Sequence, residues 1–203
     1  STLSQDSVHK IFTSILKGFF TIFSDEVQGL AGSIAQATQD VYRRICNDQL
    51  PTPDKAHYTF NMRDIAKVIQ GVAQIAPRHC ETKDEVARLW VHEASRVFHD
   101  RLICAEDREW WKKASSYIAC ARFSVQPQAD WFKTFYGDFG EQEDEHRRYE
   151  PLAINDGLHD ILNEKMLSFG IQFNRELDLV LFDDAVYHLS RICRILRQPR
   201  GNA

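Results

Sequence analysis

Apolar residues recur at intervals of three and four along most of this chain, a period that calls for amphipathic helices. Val8, Ile11, Phe12, Ile15, Leu16 and Phe19 form one broad stripe, and Val27, Leu30, Ile34, Val41 and Ile45 form a second. A third runs through Ile65, Val68, Ile69, Val72 and Ile75 or Ala76. A fourth runs through Val86, Leu89, Trp90, Val97, Phe98 and Leu102. Stripes of this width need cover, so the segments that carry them are expected to pack on one another as a bundle of antiparallel helices.

Start signals precede the stripes. Ser4 is placed to cap the first helix, with Asp6 in the favourable first turn, and Ser24 opens the second ahead of Asp25 and Glu26. Asn61 can cap the third, with Asp64 at its third position. Thr82-Lys83-Asp84-Glu85 is a T-x-x-E capping box and the strongest cap in the chain. Breaks come at "LPTP" (Leu50 to Pro53) and at Pro77, because proline removes a backbone donor and restricts the residue before it. His57 to Phe60 read as extended. Glu106 to Cys120 either extends the fourth helix or starts another.

Residues 123–150 differ in character. They are aromatic early (Trp131, Phe132, Phe135, Tyr136, Phe139) and then turn into "GEQEDEHRRYEP", a charged surface loop by composition. Leu152 to Phe169 is predicted as a helix starting after Pro151. "LDLVLF" (Leu177 to Phe182) is predicted to be extended or a turn, and the last helix to run from about Asp183 to Leu196. The expected fold class is all-α. It comprises a helical bundle over 1–122, a connecting loop over 123–150 and a partial second helical unit over 151–203, with no sheet of three or more strands.

Hydrophobic residues make up 43% of the 203, enough for a real core. The formal net charge of −4 argues against a nucleic-acid surface spread over the whole chain and leaves room for a local basic patch. No apolar run approaches the ~20 residues of a membrane helix, and the polar start "STLSQDSVHK" does not read as a signal peptide. Cys46, Cys80, Cys104, Cys120 and Cys193 are widely spaced and form no CxxC, so they read as buried thiols of a reducing compartment.

Few residues suggest chemistry. His92-Glu93 begins an HExxH pattern, but Arg96 stands where the second histidine belongs. His92 and His99, seven apart, share a helix face and would need a third ligand from elsewhere to hold a metal; two polar residues on a packed helix are the default reading, since the motif a metal needs is absent. Arg63 lies in the first turn of its helix, where the helix dipole disfavours a cation. It is explained either by a nearby anion or by a local ion pair with Asp64 or another carboxylate. Arg191, Arg194, Arg197 and Arg200 wind slowly around the last helix; a solvated, dipole-complementing end is the default and phosphate binding the alternative. Trp110-Trp111 and the aromatics from 131 to 139 suit packing better than a ligand platform. The closing "SRICRILRQPRGNA" meets a turn signal with no element after it, and reads as a cut.

Three long stretches carry a family resemblance: "LPTPDKAHYTFNMRDIAKVIQGV", then "ARLWVHEASRVFHDRL" with "EDREWW", then "LDLVLFDDAVYHLSRICRILRQPRGNA". In this order they resemble dynein heavy chain of the axonemal type, between the third and fourth AAA+ modules of the motor ring. The likeness covers nearly the whole chain, with 123–150 least characteristic. It implies that residues 1 to about 122 are the helical lid of the third module and that residues from about 150 lead into the fourth. "RQPRGNA" would then run into the first strand and phosphate loop of that module. Arg63, in "FNMRD", matches the family's sensor-two arginine, which reaches the nucleotide phosphates of the third site. Ile195, Leu196, Gln198, Pro199, Arg200 and Gly201 match the adenine side of the fourth.

The implied function is that of a segment which senses nucleotide and couples neighbouring AAA+ modules in an ATP-driven microtubule motor of cilia and flagella. ATP or ADP with magnesium is implied for the intact motor and none for this segment, which lacks Walker A and Walker B and should be inactive alone. Implied partners are the neighbouring modules and, through the parent chain, microtubules and dynein intermediate and light chains, with no nucleic acid and no membrane. The implied location is cytoplasmic, in the axoneme. A free-standing helical adaptor that binds a partner helix is the competing reading. With both neighbouring modules absent, Tyr58, Phe60 and the 131–139 aromatics are expected to be exposed as apolar patches.

Overall fold

The computed structural model describes residues 4–138, 149–152, 158–175, 177 and 179–197. Among them it holds eight α-helices and one pair of short strands. The order is α1 (Gln5–Phe19), α2 (Asp25–Gly29), α3 (Ala31–Asp48), α4 (Met62–Val72), α5 (Lys83–Val97), α6 (Ala105–Phe123), β1 (Phe135–Gly137), β2 (Glu150–Leu152), α7 (Leu158–Phe173) and α8 (Asp183–Arg197). The chain divides into two compact units, Ser1–Phe132 and Lys133–Ala203. It is mostly helical, and the described residues contain no sheet beyond the β1–β2 pair.

In the first unit the caps act where their residues stand. Ser4 Oγ accepts from Ser7 N at 3.1 Å. Ser24 Oγ accepts from Val27 N at 3.4 Å and donates to Glu81 O at 2.7 Å. Glu26 Oε1 accepts from Lys83 N at 3.3 Å, so the start of α2 also holds the start of α5. The single helix expected after Ser24 is split, with Leu30 capping both α2 and α3. Gly29 and Gly32 flank the break, and glycine weakens a helix by about 1 kcal/mol relative to alanine. The third helix stops at Val72, and Ile75 is buried in the turn that follows. A 3-10 turn at His99–Arg101 separates α5 from α6, which settles the open choice over Glu106 to Cys120 in favour of a new helix.

Packing runs α1 on α3, α3 on α6 and α4, and α5 on α4 and α6. Every residue of the fourth stripe is buried, as are Val27, Ile34, Val41 and Ile45 of the second. Two buried indoles tie three helices together. Trp90 Nε1 donates to Thr38 Oγ1 at 2.9 Å, and Trp111 Nε1 donates to Ser95 Oγ at 3.0 Å.

The second unit corrects two expectations. Residues 123–150 hold β1, and β1 pairs antiparallel with β2 in the register Phe135↔Leu152, Tyr136↔Pro151, Gly137↔Glu150. Leu152, expected to open a helix, is therefore a strand residue, and α7 begins at Leu158 and runs on to Phe173. Pro151 is tolerated because a two-stranded pair is all edge, where a missing N–H breaks no second ladder. Phe135, Leu152, Leu158, Leu162 and Val186 form the core of this unit. No described helix is long and apolar enough to cross a membrane.

Candidate functional site

The start of α4 is where the sequence places its most unusual cation. The chain reaches it from α3 through a proline-led 3-10 turn, Pro53–Lys55, which sets Lys55 and Tyr58 against the start of α6. Tyr58 is buried; its hydroxyl accepts from Ile103 N at 2.9 Å and donates to Asp107 Oδ2 at 2.9 Å. The Lys55 ammonium pairs with the same carboxylate oxygen. Burial alone would push Asp107 toward its neutral form, but the hydrogen bonds from Lys55 and Tyr58 outweigh it and hold the pKa below the usual carboxylate value. Burial raises the Tyr58 phenol, which keeps it a donor.

A second tie lies closer to Arg63. Arg101 Nη2 donates to His57 O at 2.7 Å and to Thr59 O at 2.9 Å, while Nη1 lies 3.3 Å from Asp64 Oδ2. Its guanidinium carbon sits 4.5 Å from the centre of the Phe60 ring. His57 Nε2 closes the loop by a hydrogen bond of 2.8 Å with Arg101 O. Asp64 is buried and fully used: Oδ2 accepts from Asn61 N at 2.9 Å, completing the capping box, and Oδ1 lies 3.7 Å from Lys67 Nζ. Asn61 Oδ1 accepts from Arg63 N at 2.8 Å.

Arg63 itself is exposed, and its guanidinium makes no ion pair or hydrogen bond with any described residue. The local ion pair with Asp64 that the sequence allowed is not formed, because Asp64 serves Asn61, Arg101 and Lys67 instead. The cap also consumes first-turn backbone donors, so an anion here would be met by the side-chain fork of Arg63. Arg63 thus stands as an exposed planar cation next to a capped and braced helix start.

The remaining candidates are placed as follows. His92 is buried on α5 with its Nε2 3.8 Å from Glu93, and His99 lies 3.5 Å from Asp100. The described residues contain no group of three or more metal-ligating side chains. Of the arginine row, Arg194 is buried, and Arg197 pairs with Asp138 and lies 5.9 Å from the Tyr149 ring centre. Ile195 is half-buried and Leu196 is exposed on α8; Gln198, Pro199, Arg200 and Gly201 lie outside the described residues. The expected exposure of the aromatics is corrected: Tyr58, Trp131, Phe135 and Tyr136 are buried, Phe60 and Phe132 partly so, and Phe139 lies outside the described residues. The polar anchors of Tyr58 and the β1–β2 pairing account for Tyr58, Phe135 and Tyr136. Sequence reasoning missed Arg101 and Asp107, whose partners lie tens of residues away and leave no local signal.

This architecture agrees with the comparisons. A family model described as "Dynein heavy chain, ATPase lid domain" matches residues 11–108, and one described as "P-loop containing dynein motor region D4" matches residues 177–203. Dynein axonemal heavy chain 6 of Homo sapiens is 35% identical over 98% of this chain and 5% of its own length. Dynein-1-beta heavy chain, flagellar inner arm I1 complex, of Chlamydomonas reinhardtii is 36% identical over 98% of this chain and 5% of its own. Dynein axonemal heavy chain 1 of Mus musculus is 37% identical over 87% of this chain and 4% of its own. The chain thus spans about 5% of the length of the curated relatives it matches. It belongs to the dynein heavy chains, of the axonemal and flagellar kind, and carries their ATPase lid domain together with the start of the D4 region.

Proposed function

We propose that this segment senses nucleotide and couples neighbouring modules in the motor ring of an axonemal dynein, an ATP-driven microtubule motor. In this reading residues 1–122 are the lid of the third AAA+ module, 123–150 a connection, and 151–203 the leading segment of the fourth. The observation that carries it is the guanidinium of Arg63 at the mouth of α4, without a partner among the described residues, a cation that its helix dipole disfavours and that an arriving phosphate would satisfy. ATP or ADP with magnesium would be supplied by the parent chain, and Ile195, Leu196, Gln198, Pro199, Arg200 and Gly201 would flank the adenine of the fourth site. The segment alone, without Walker A or Walker B, would not hydrolyse ATP. Its immediate partners would be the adjoining modules, with microtubules and the intermediate and light chains engaged by the parent in the axoneme. A lid of this kind would turn nucleotide state into rigid-body rotation between modules.

The test is Arg63→Ala and Arg63→Lys in the intact motor, measuring nucleotide affinity at the third site and the microtubule-stimulated ATPase rate. Loss of one charge-assisted contact to phosphate is expected to weaken binding by about 1.5–3 kcal/mol, with partial rescue by lysine because a point charge does not reproduce the fork. The lid should stay folded, since the side chain is exposed. Unfolding would give the residue a structural role, and unchanged affinity and rate would reduce it to a surface cation.

A further inference from the structure

We infer that Arg101 is a positioning residue for Arg63, fixing the loop before α4 so that the exposed guanidinium is presented from a constant place. This rests on the reading of Arg63 given above. Three observations carry it. Arg101 binds the loop at two backbone carbonyls, His57 O and Thr59 O, at 2.7 and 2.9 Å. It reaches the capping carboxylate Asp64, one residue after Arg63, at 3.3 Å. Its plane also lies against Phe60, the residue before the Asn61 cap, at 4.5 Å from the ring centre. One side chain therefore touches the chain on both sides of the α4 cap, while its own backbone is held by His57 at 2.8 Å.

The donor geometry asks for arginine in particular. A guanidinium offers donors along two edges of a plane and can serve two carbonyls and a carboxylate while stacking on a ring; an ammonium cannot do all of these. Arg101 belongs to the 3-10 turn that ends α5, so a displacement of α5 would be passed to the mouth of α4 through this side chain. Phe60 extends the same link toward the core, its ring 5.8 Å from that of Phe98 and Phe98 in turn 5.5 Å from Trp111.

The experiment uses the intact heavy chain with Arg101→Ala, Arg101→Lys, Arg63→Ala and the Arg63→Ala/Arg101→Ala double variant. Nucleotide affinity at the site and amide hydrogen exchange over residues 57–65 are read together, with exchange in α3 and α6 as the control for global folding. Arg101→Ala should speed exchange over 57–65 without changing α3 or α6, and weaken affinity about three- to tenfold. Arg101→Lys should fall between, and in the Arg63→Ala background the further loss should vanish. Exchange over 57–65 unchanged by Arg101→Ala overturns the positioning role and leaves the Arg63 reading standing. An equal affinity loss with and without Arg63 overturns it too, since Arg101 would then act by another route. Faster exchange with no effect of Arg63→Ala on affinity overturns the Arg63 reading, and the nucleotide role of Arg101 falls with it.

Discussion

Asp107 shows how a buried carboxylate becomes a source of pH dependence. Its folded pKa lies below the ordinary value because Lys55 and Tyr58 hydrogen bonds outweigh the burial that opposes ionisation. A depressed carboxylate contributes stability that is present above the unfolded value of about 3.9 and is lost as the pH falls through the folded value. Glu85 adds to the same acid limb. Burial opposes its charge, but the backbone donors of Glu81 and Thr82 at 2.8 and 3.0 Å prevail and its pKa is lowered. Asp107→Asn is therefore expected to reduce stability at pH 7 by about 1–3 kcal/mol and to flatten the loss below pH 4, read from denaturant midpoints at both pH values. An unchanged acid limb would assign the titration to other groups. Cys80 gives a second residue-scale expectation. Burial pushes its thiol up to about 12, so at pH 8 it stays protonated and shielded. Alkylation followed by mass spectrometry should find Cys80 modified after the partly exposed Cys104.

At the scale of elements, the indole–hydroxyl ties between helices are open to direct test. Thr38 Oγ1 accepts from Trp90 Nε1 at 2.9 Å and donates to Ile34 O at 2.8 Å, all within the core. Thr38→Val keeps the shape but strands the indole N–H, and should cost about 1–3 kcal/mol in unfolding free energy. The same substitution with Trp90→Phe should cost less than the two single changes summed, since the donor is then gone as well. These helices were legible in the sequence because amphipathic period and capping chemistry are local: Ser4, Ser24, Asn61 and Thr82 announce starts within four residues of the groups they cap. What was not legible depended on distance. The β1–β2 pair joins three-residue strands across a long loop and contains a proline, so neither alternation nor composition marks it. The break at Leu30 reflects a contest between a continuing apolar stripe and two flanking glycines that periodicity alone does not decide. At the site, Arg63 was conspicuous because a cation in a first turn is locally unfavourable. Arg101, whose partners Asp64, Thr59 and His57 lie 37, 42 and 44 residues away, looked like any other arginine near a helix end.

For the whole molecule, both units bury large apolar side chains and leave others in water. The first buries Trp90, Trp111, Phe20, Phe98 and Phe123 almost completely, whereas the second rests on Phe135, Leu152, Leu158, Leu162 and Val186. Meanwhile Leu167, Ile171 and Val180 of the second unit stand 70%, 84% and 82% exposed. Large apolar side chains held in water favour association, so Ile171→Glu should lower self-association by light scattering and leave α7 intact. The division into two compact units also bears on cooperativity, because compact units need not unfold together. Leu162 is 7% exposed, and its truncation to alanine would open a cavity in a core with few other members, at a cost of about 2–5 kcal/mol. That loss should fall on the second unit alone. Hydrogen exchange on the Leu162→Ala chain should then speed up across α7 and α8 while α3 and α5 keep their protection. If α5 loses protection to the same degree, the units unfold as one and the expectation of independent unfolding is wrong.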